Sequence, residues 1–286
     1  MRLQDYDTSK QFTATVISTE RITPDDSLEE VREIVVDVGG GDFTIQVGQN
    51  LGVLAPSGRI FGQEHHFRLY SVAGLPEKQP DGKVRLPLCV RRCDYIDDYN
   101  GERYKGVASN YLCDLKPGDD LIITGPYGLA FEVPDNMDAT LILIGAGTGI
   151  APFRGFIKHL YKHVPEYKGR IRLFYGGRTG LDLLYMNDVR NDFALYYDNE
   201  TFEAITALSQ RPHWSDAIDW HSALISRGEE IWTMLLEANT QVYVAGLESI
   251  CAELDEVFTK VAGSKEKWEQ RKAELKAGKR WVELVF

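Results

Sequence analysis

Cysteine is scarce in this chain: 286 residues contain four, Cys89, Cys93, Cys113 and Cys251. None of their spacings sets out the thiolate ligands of a zinc or iron–sulfur site, so no metal site and no fused plant-type [2Fe–2S] domain is expected. Cys89 and Cys93 lie in or beside an apolar run, where a free thiol behaves as a small hydrophobe. Long apolar runs are missing too, since no stretch reaches the roughly eighteen residues that a membrane span requires. The N-terminal MRLQDYDTSKQF is polar from its start and has no signal-peptide pattern, so a cytoplasmic protein without membrane insertion is expected. Positive charge is in deficit as well. Lys and Arg number 32 against 43 Asp and Glu, a net charge of -11, which argues against a nucleic-acid partner because phosphate binding draws on clustered cations. Internal repeats and low-complexity segments are absent.

What is present divides in two. From Phe12 to Gly128 the chain reads as short strands, FTATVIS, VREIVVDV, NLGVLA, FRLYSVA, VRLPLCVRR and LIITGPYG, rich in β-branched and aromatic residues and separated by Gly, Pro or Asp. Many short strands without long helices between them predict an antiparallel barrel or sandwich. After about Asp135 the rhythm changes. LILIGAG and RIRLFYGG are apolar strands, PFRGFIKHLYKHV between them is helical, and a further helical stretch is expected before TFEAITAL. Later, ISRGEEIWTMLLEA and ESICAELDEVFTKVA read as helices flanking the strand QVYVAG. Strands alternating with helices predict a parallel sheet with crossover helices. Two domains follow: an antiparallel β-barrel over residues 1–135 and an α/β parallel-sheet domain over 136–286, with the boundary near Pro134 and Asn136.

The run LILIGAGTGIAPFRGF places a buried strand before Gly145, Gly147 and Gly149 and a helix after Pro152. Glycines at such a turn let backbone N–H groups approach a phosphate, and the helix N-terminus favours its charge. Such a turn also serves strand-to-helix packing alone. Upstream, FRLYSVAG supplies an Arg suited to bridging a pyrophosphate and a Tyr ring suited to stacking. Alternation would set Arg68 and Tyr70 on one face of that strand, with Leu69 and Ser71 on the other.

Taken in order, HHFRLYSVAG, CVRRCDYIDD, KGVASNYLCDLKPGDDLIITGPYG, LIGAGTGIAPFRGF, FYGGRTGLDLLY, YVAGLES and a last strand ending on an aromatic residue resemble the plant-type ferredoxin–NADP reductase family across nearly the whole chain. The resemblance implies an FAD-binding barrel, an NADP- or NAD-binding α/β domain, and transfer of hydride to FAD with single electrons passed to a ferredoxin or similar small acidic carrier. By that resemblance Arg68 would hold the FAD pyrophosphate, Tyr70 would stack on the isoalloxazine, and Ser71 would stand beside the flavin atom that receives hydride. Cys89, Val90 and Arg91 would meet the flavin and a nucleotide phosphate, and Tyr95 the FAD adenine. Val107, Ala108 and Ser109 would present a helix start to the pyrophosphate. Gly147, Thr148 and Gly149 would form the turn at the nicotinamide nucleotide. Phe286 would cover the flavin and move aside for nicotinamide.

Departures from the family pattern are specific. Ala245 stands where the plant enzymes carry a cysteine, and Glu283 lies one position before their terminal carboxylate, leaving it a candidate for proton exchange. Where the family grips a 2′-phosphate, Ser209 agrees, Gln210 replaces an arginine, Arg211 comes one step late, and Asp219 with Trp220 replaces a lysine and a tyrosine. Nucleotide preference is therefore open. Lys265 to Arg280 carries seven Lys or Arg against three Glu. Either this is a solvated helix face, or Lys272, Lys276, Lys279 and Arg280 steer an acidic carrier. Two other readings are a reductase component feeding an oxygenase directly and a flavin-binding module without turnover.

Overall fold

The computed structural model describes residues 3–40, 42–58, 64–97, 99–196, 201–211 and 217–285. The chain divides into two compact units, Met1–Glu132 with Ala151–Lys162, and Val133–Ile150 with His163–Phe286.

The first unit is built on antiparallel strands: β1 (Gln11–Arg21), β2 (Val31–Val38), β3 (Asn50–Pro56), β4 (His65–Ser71), β5 (Glu77–Lys78), β6 (Val84–Arg91) and β9 (Asp120–Tyr127). Their order in the sheet is β4-β3-β9-β1-β2-β6-β5. A bridge between Val72 and Leu88, with the Ala73 N–H donating to Pro87 O at 2.8 Å, curls the sheet back so that the end of β4 meets β6. The inward residues Ala14, Val16, Ile34, Val36, Val53, Leu86, Leu88 and Ile123 are all at most 1% exposed and fill one core. Along β1 they alternate with covered and exposed positions, as a strand with one buried face requires. Two further strands, β7 (Asp94–Ile96) and β8 (Arg103–Lys105), pair as a separate hairpin. The helix α1 (Val107–Asp114) packs against β3, β4 and β6.

The second unit carries a parallel sheet in the order β12-β11-β10-β13-β14, formed by β10 (Leu141–Ala146), β11 (Ile171–Gly177), β12 (Phe202–Leu208), β13 (Gln241–Gly246) and β14 (Trp281–Val285). The strand β10 is fully covered at Leu141, Ile142, Leu143 and Ile144, as a parallel strand covered on both faces reads. The helix α2 (Ile150–His163) follows β10 but falls almost wholly within the first unit; α3 (Trp220–Ile225), α4 (Gly228–Leu236), α5 (Ser249–Ala262) and α6 (Lys265–Ala277) are the helices of the second. One cluster joins Ile142, Phe174, Trp220, Val244, Phe258, Trp268 and Trp281.

The helix expected between β11 and β12 is replaced among the described residues by single 3₁₀ turns at Gly180–Asp182 and Phe193–Tyr196. Side chains there compete with helical hydrogen bonds: Asp182 and Thr179 close a capping box, and Asn187 Oδ1 accepts from the N–H groups of Val189 and Arg190, each at 3.0 Å.

Candidate functional site

In the first unit the sequence-predicted residues collect where β4, β6 and α1 meet. Because β4 pairs with β3 along its length and reaches β6 only at its end, most of its other edge is left for side chains. Register sets Arg68 opposite Val53, Tyr70 opposite Leu51 and Ser71 opposite Asn50. Simple alternation does not hold here: every residue of β4 is half-buried except Arg68, which is exposed. The Arg68 Nη1 donates to Phe67 O at 2.8 Å. Ser71 Oγ donates to Asn50 Oδ1 at 2.7 Å, which fixes the hydroxyl and leaves its lone pairs to accept from a ligand. Asn50 was not among the expected residues; only the β3–β4 register reveals it.

Burial pushes the Tyr70 phenol well above its ordinary value, and the Cys113 and Cys93 thiols beside it add to the effect. The ring is neutral and held against the barrel core. Cys89 and Val90 are buried, and Arg91 is exposed with Nη1 3.6 Å from Glu29 Oε2. Burial likewise pushes the Cys113 thiol up to about 12, so it is inert at neutral pH.

Helix α1 begins with Gly106 as its N-cap, so no side chain satisfies its first N–H groups at Val107, Ala108 and Ser109. Glycine is required there, since a Cβ at Gly106 would stand 2.8 Å from Cys93 O. Ser109 Oγ accepts from the Cys93 N–H at 3.1 Å, and Asn110 Nδ2 donates to Cys93 O at 2.9 Å. Arg92 then clamps α1 in place, donating from Nε to Glu30 Oε2 at 2.8 Å and from Nη1 to Asn110 Oδ1 at 3.0 Å. The β7–β8 hairpin presents Tyr95, 55% exposed, stacked on Tyr104 with ring centroids 5.6 Å apart. Tyr104 was missed at sequence level, although hairpin pairing puts it directly across from Tyr95.

An exposed guanidinium, a neutral half-buried phenol, an uncapped helix start and an exposed aromatic pair make a donor set that fits FAD. Each part of a flavin dinucleotide finds its chemistry here: cation and N–H groups for pyrophosphate, flat rings for its two ring systems.

In the second unit, β10 runs into the turn Gly147–Gly149 and then α2. Gly147 has φ +54°, and a Cβ there would meet nothing within 4 Å. Gly149 is required for a different reason: its Cβ would lie 2.5 Å from Ala245 O at the end of β13. Tyr175 OH donates to Gly147 O at 3.0 Å and accepts from the Leu184 N–H at 2.9 Å, bracing the turn from β11. Thr148 is half-buried. Such a turn offers backbone N–H groups to a nucleotide phosphate.

At the end of β12, Ser209 is buried and Arg211 exposed, while Gln210 Nε2 donates to Asp219 Oδ2 at 2.5 Å. Trp220, which stands where the family carries a tyrosine, is not presented to a ligand. It is 2% exposed and belongs to the core cluster.

The basic run is largely consumed within the unit. Lys272 Nζ lies 2.7 Å from Asp255 Oδ1 and stands over the Trp281 ring, Lys276 Nζ is 2.9 Å from Glu283 Oε1, and Arg280 Nη1 donates to Glu237 O and Thr240 O at 3.1 and 3.2 Å. Of the four cations named for steering, Lys276 and Lys279 remain exposed. Glu283 also accepts from Trp281 Nε1 at 2.8 Å. Burial pushes its carboxyl up, but the hydrogen bonds from Lys276 and Trp281 outweigh this and hold it below the usual range. An ionised, ion-paired carboxylate is poorly suited to donate a proton. Phe286, next after β14, lies outside the described residues.

Among known proteins, the oxidoreductase NAD-binding domain family matches residues 143–255. A ferredoxin–NADP reductase of Picosynechococcus sp. is 34% identical over 263 residues, 90% of this chain and 65% of the relative, so the chain spans just under two thirds of that protein. The chloroplastic leaf isozyme 1 of Arabidopsis thaliana, also named ferredoxin–NADP reductase, is 33% identical across 96% of this chain and 77% of its own length. A solved ferredoxin–NADP+ reductase from Plasmodium falciparum superposes with a TM-score of 0.73 at 20% identity, covering 98% of both chains, which shows the shared fold. No helix among the described residues is long and apolar enough to cross a membrane.

Proposed function

The chain belongs to the ferredoxin–NADP reductase family, and from that premise we propose that it is a flavoprotein reductase passing hydride between NAD(P)H and FAD and exchanging single electrons with a ferredoxin or similar small acidic carrier. The observation that carries this reading is the gathering of Arg68, Tyr70, Ser71 and the uncapped start of α1 at the meeting of β4, β6 and α1. FAD, when bound, supplies the hydride-accepting and one-electron chemistry that no side chain here provides.

The chain's residues bind and orient. Arg68 and the first-turn N–H groups of Val107, Ala108 and Ser109 hold the pyrophosphate, cation and helix dipole acting together. Tyr70 presents a neutral ring to the isoalloxazine, and Tyr95, backed by Tyr104, presents one to the adenine. Cys89 and Val90 contribute backbone from β6. Ser71, aimed by Asn50, offers its oxygen at the hydride-receiving edge. Gly147, Thr148 and Gly149 hold the pyrophosphate of the nicotinamide nucleotide, with Ser209 and Arg211 toward its adenosine, and Arg91, at the end of β6, offers a cation to a nucleotide phosphate. A cytoplasmic setting belongs to the same proposal, supported by the sparse cysteines.

Steady-state turnover with NADH and NADPH, using ferricyanide as acceptor, tests it. At least one nucleotide is expected to bleach the bound flavin and support turnover. A yellow protein reduced by neither defeats the proposal and leaves a flavin-binding module.

A further inference from the structure

Two of the segments that carry the candidate chemistry meet inside the first unit: SVAG, at and just past the end of β4, and PFRG, in the first part of α2. They touch through their glycines. A Cβ at Gly155 would stand 3.2 Å from Gly74 O and 3.0 Å from the Val47 side chain, while a Cβ at Gly74 would stand 2.9 Å from the Pro87 ring and 3.2 Å from Arg154 Nη1. The Arg154 side chain therefore runs close over the Gly74 backbone. Its Nη1 donates to Ala73 O at 2.5 Å and stands 3.0 Å from Glu33 Oε2 on β2. Both charged side chains are buried, Arg154 at 4% exposure and Glu33 at 7%. Ala73 is also held from its other side, its N–H donating to Pro87 O at 2.8 Å.

A buried pair of opposite charges is a poor way to stabilise a fold. Desolvation of both ions offsets much of their attraction, and apolar side chains of similar volume often serve as well or better. What a guanidinium supplies is geometry, because its planar fork fits one arrangement of its partners. Here that arrangement joins two pieces of chain. Ala73 lies two residues beyond Ser71, and Val72 between them is bridged to Leu88, so the guanidinium holds the strand end that carries Ser71. Arg154 is the fifth residue of α2, and α2 begins at Ile150, directly after the turn Gly147–Gly149. One buried side chain thus makes the end of β4 fast to the helix into which the nucleotide turn runs.

We infer that Arg154, paired with Glu33, is a positioning residue for hydride transfer: it locks the strand end that carries Ser71 against the first turns of α2. It acts through the Ala73 carbonyl, because at 4% exposure it is shut away from solvent. A displacement of reacting atoms by about 1 Å costs on the order of a hundredfold in rate, so a latch that works only through backbone still sets how fast hydride moves. This rests on the reductase reading above and adds to it a residue outside the ligand-holding set.

Stopped-flow reduction of the FAD-loaded protein, by whichever of NADH and NADPH reduces it, tests the latch. Arg154→Met alone would leave Glu33 a buried charge without its guanidinium, so the variant of choice is Arg154→Met combined with Glu33→Gln, which removes both charges. It is expected to keep its flavin and a denaturation midpoint near the parent's. The nucleotide concentration giving half the limiting rate should stay within about threefold, while the limiting rate of flavin reduction falls at least about tenfold. Dithionite, which reduces flavin without any hydride geometry, should bleach the variant at the parent's rate. Arg154→Lys keeps the charge but loses the fork, so its limiting rate should fall less, by about threefold, and it is the variant to read if the double exchange does not fold. A limiting rate unchanged in a folded variant, or a fall matched by slower dithionite reduction or by loss of flavin, would overturn the positioning role and leave the reductase reading intact. A parent protein whose flavin neither nucleotide reduces would instead overturn the reading on which the role rests.

Discussion

In the antiparallel unit the candidate residues are side chains placed by strand register, Arg68 across from Val53 and Ser71 across from Asn50, while in the parallel unit they are chiefly backbone, the turn Gly147–Gly149 presented at the end of β10. The first kind of site fails when a side chain is removed, because the strand still forms without it. The second fails when one is added, because the N–H groups work only if the chain comes close. The largest expected effect belongs to the second kind. Gly149→Ala forces a Cβ to within 2.5 Å of the Ala245 carbonyl, a rigid backbone atom. Overpacking of this sort costs about 3 kcal/mol, to be read as a fall in the midpoint of chemical denaturation.

Arg68→Ala breaks the first kind of site. Arg68 is exposed and lies outside the barrel core, so stability should change by less than about 0.5 kcal/mol. Loss of a charge-assisted hydrogen bond to a pyrophosphate should still weaken FAD binding by about 2 kcal/mol, roughly thirtyfold. Flavin released on dilution, measured by fluorescence, checks it. A variant that unfolds but keeps its flavin affinity when folded would collapse the distinction between the two units.

Gly147→Ala separates close approach from backbone conformation. A Cβ at Gly147 meets nothing, yet φ is +54°, a left-handed conformation that costs a side-chain-bearing residue about 1 kcal/mol. The expected result is a destabilisation about a third of that for Gly149→Ala. A larger loss in nicotinamide nucleotide binding than in stability would show that the open space at Gly147 is where the ligand's phosphates approach.

How far these sites were legible in sequence follows the range of the forces that make them. Strand β2 covers VREIVVDV, and β4, β6 and β9 fall within a few residues of FRLYSVA, VRLPLCVRR and LIITGPYG, because β-branched runs bounded by turn residues are a local signal. The three-residue strands β7 and β8 are too short to show periodicity, so Tyr104 went unseen. The segment after β11 read as helix because its Leu, Tyr and Phe spacing suits one, but Asn187 and Asp182 turn the chain with their own hydrogen bonds. Long-range pairings were not legible at all. Nothing local says that Lys272 reaches back from α6 to Asp255 on α5, or that Trp220 turns into the core while its neighbour Asp219 stays half-buried.

The smallest effect concerns a side-chain-built device of the parallel unit, the ion pairing under β14. Glu283 is joined by Lys276 at 2.9 Å and Lys272 at 3.8 Å, with Asp255 sharing Lys272. Its folded-state pKa lies below the ordinary carboxylate value although burial opposes the shift. A depressed carboxylate contributes stability that is present above the unfolded-state pKa, about 4.3, and is lost as pH falls through the lower folded-state value. Glu283→Gln should therefore cost less than about 1 kcal/mol at pH 7, as partly exposed ion pairs do. The gap between variant and parent should close on acidification below about pH 4, so that the two denaturation midpoints converge. If Glu283 instead shuttled protons, the substitution would leave stability unchanged and shift the pH profile of turnover. Convergence of the midpoints with an unmoved pH profile would place this carboxylate with the side-chain devices that hold a strand, apart from the backbone turn that meets the nucleotide.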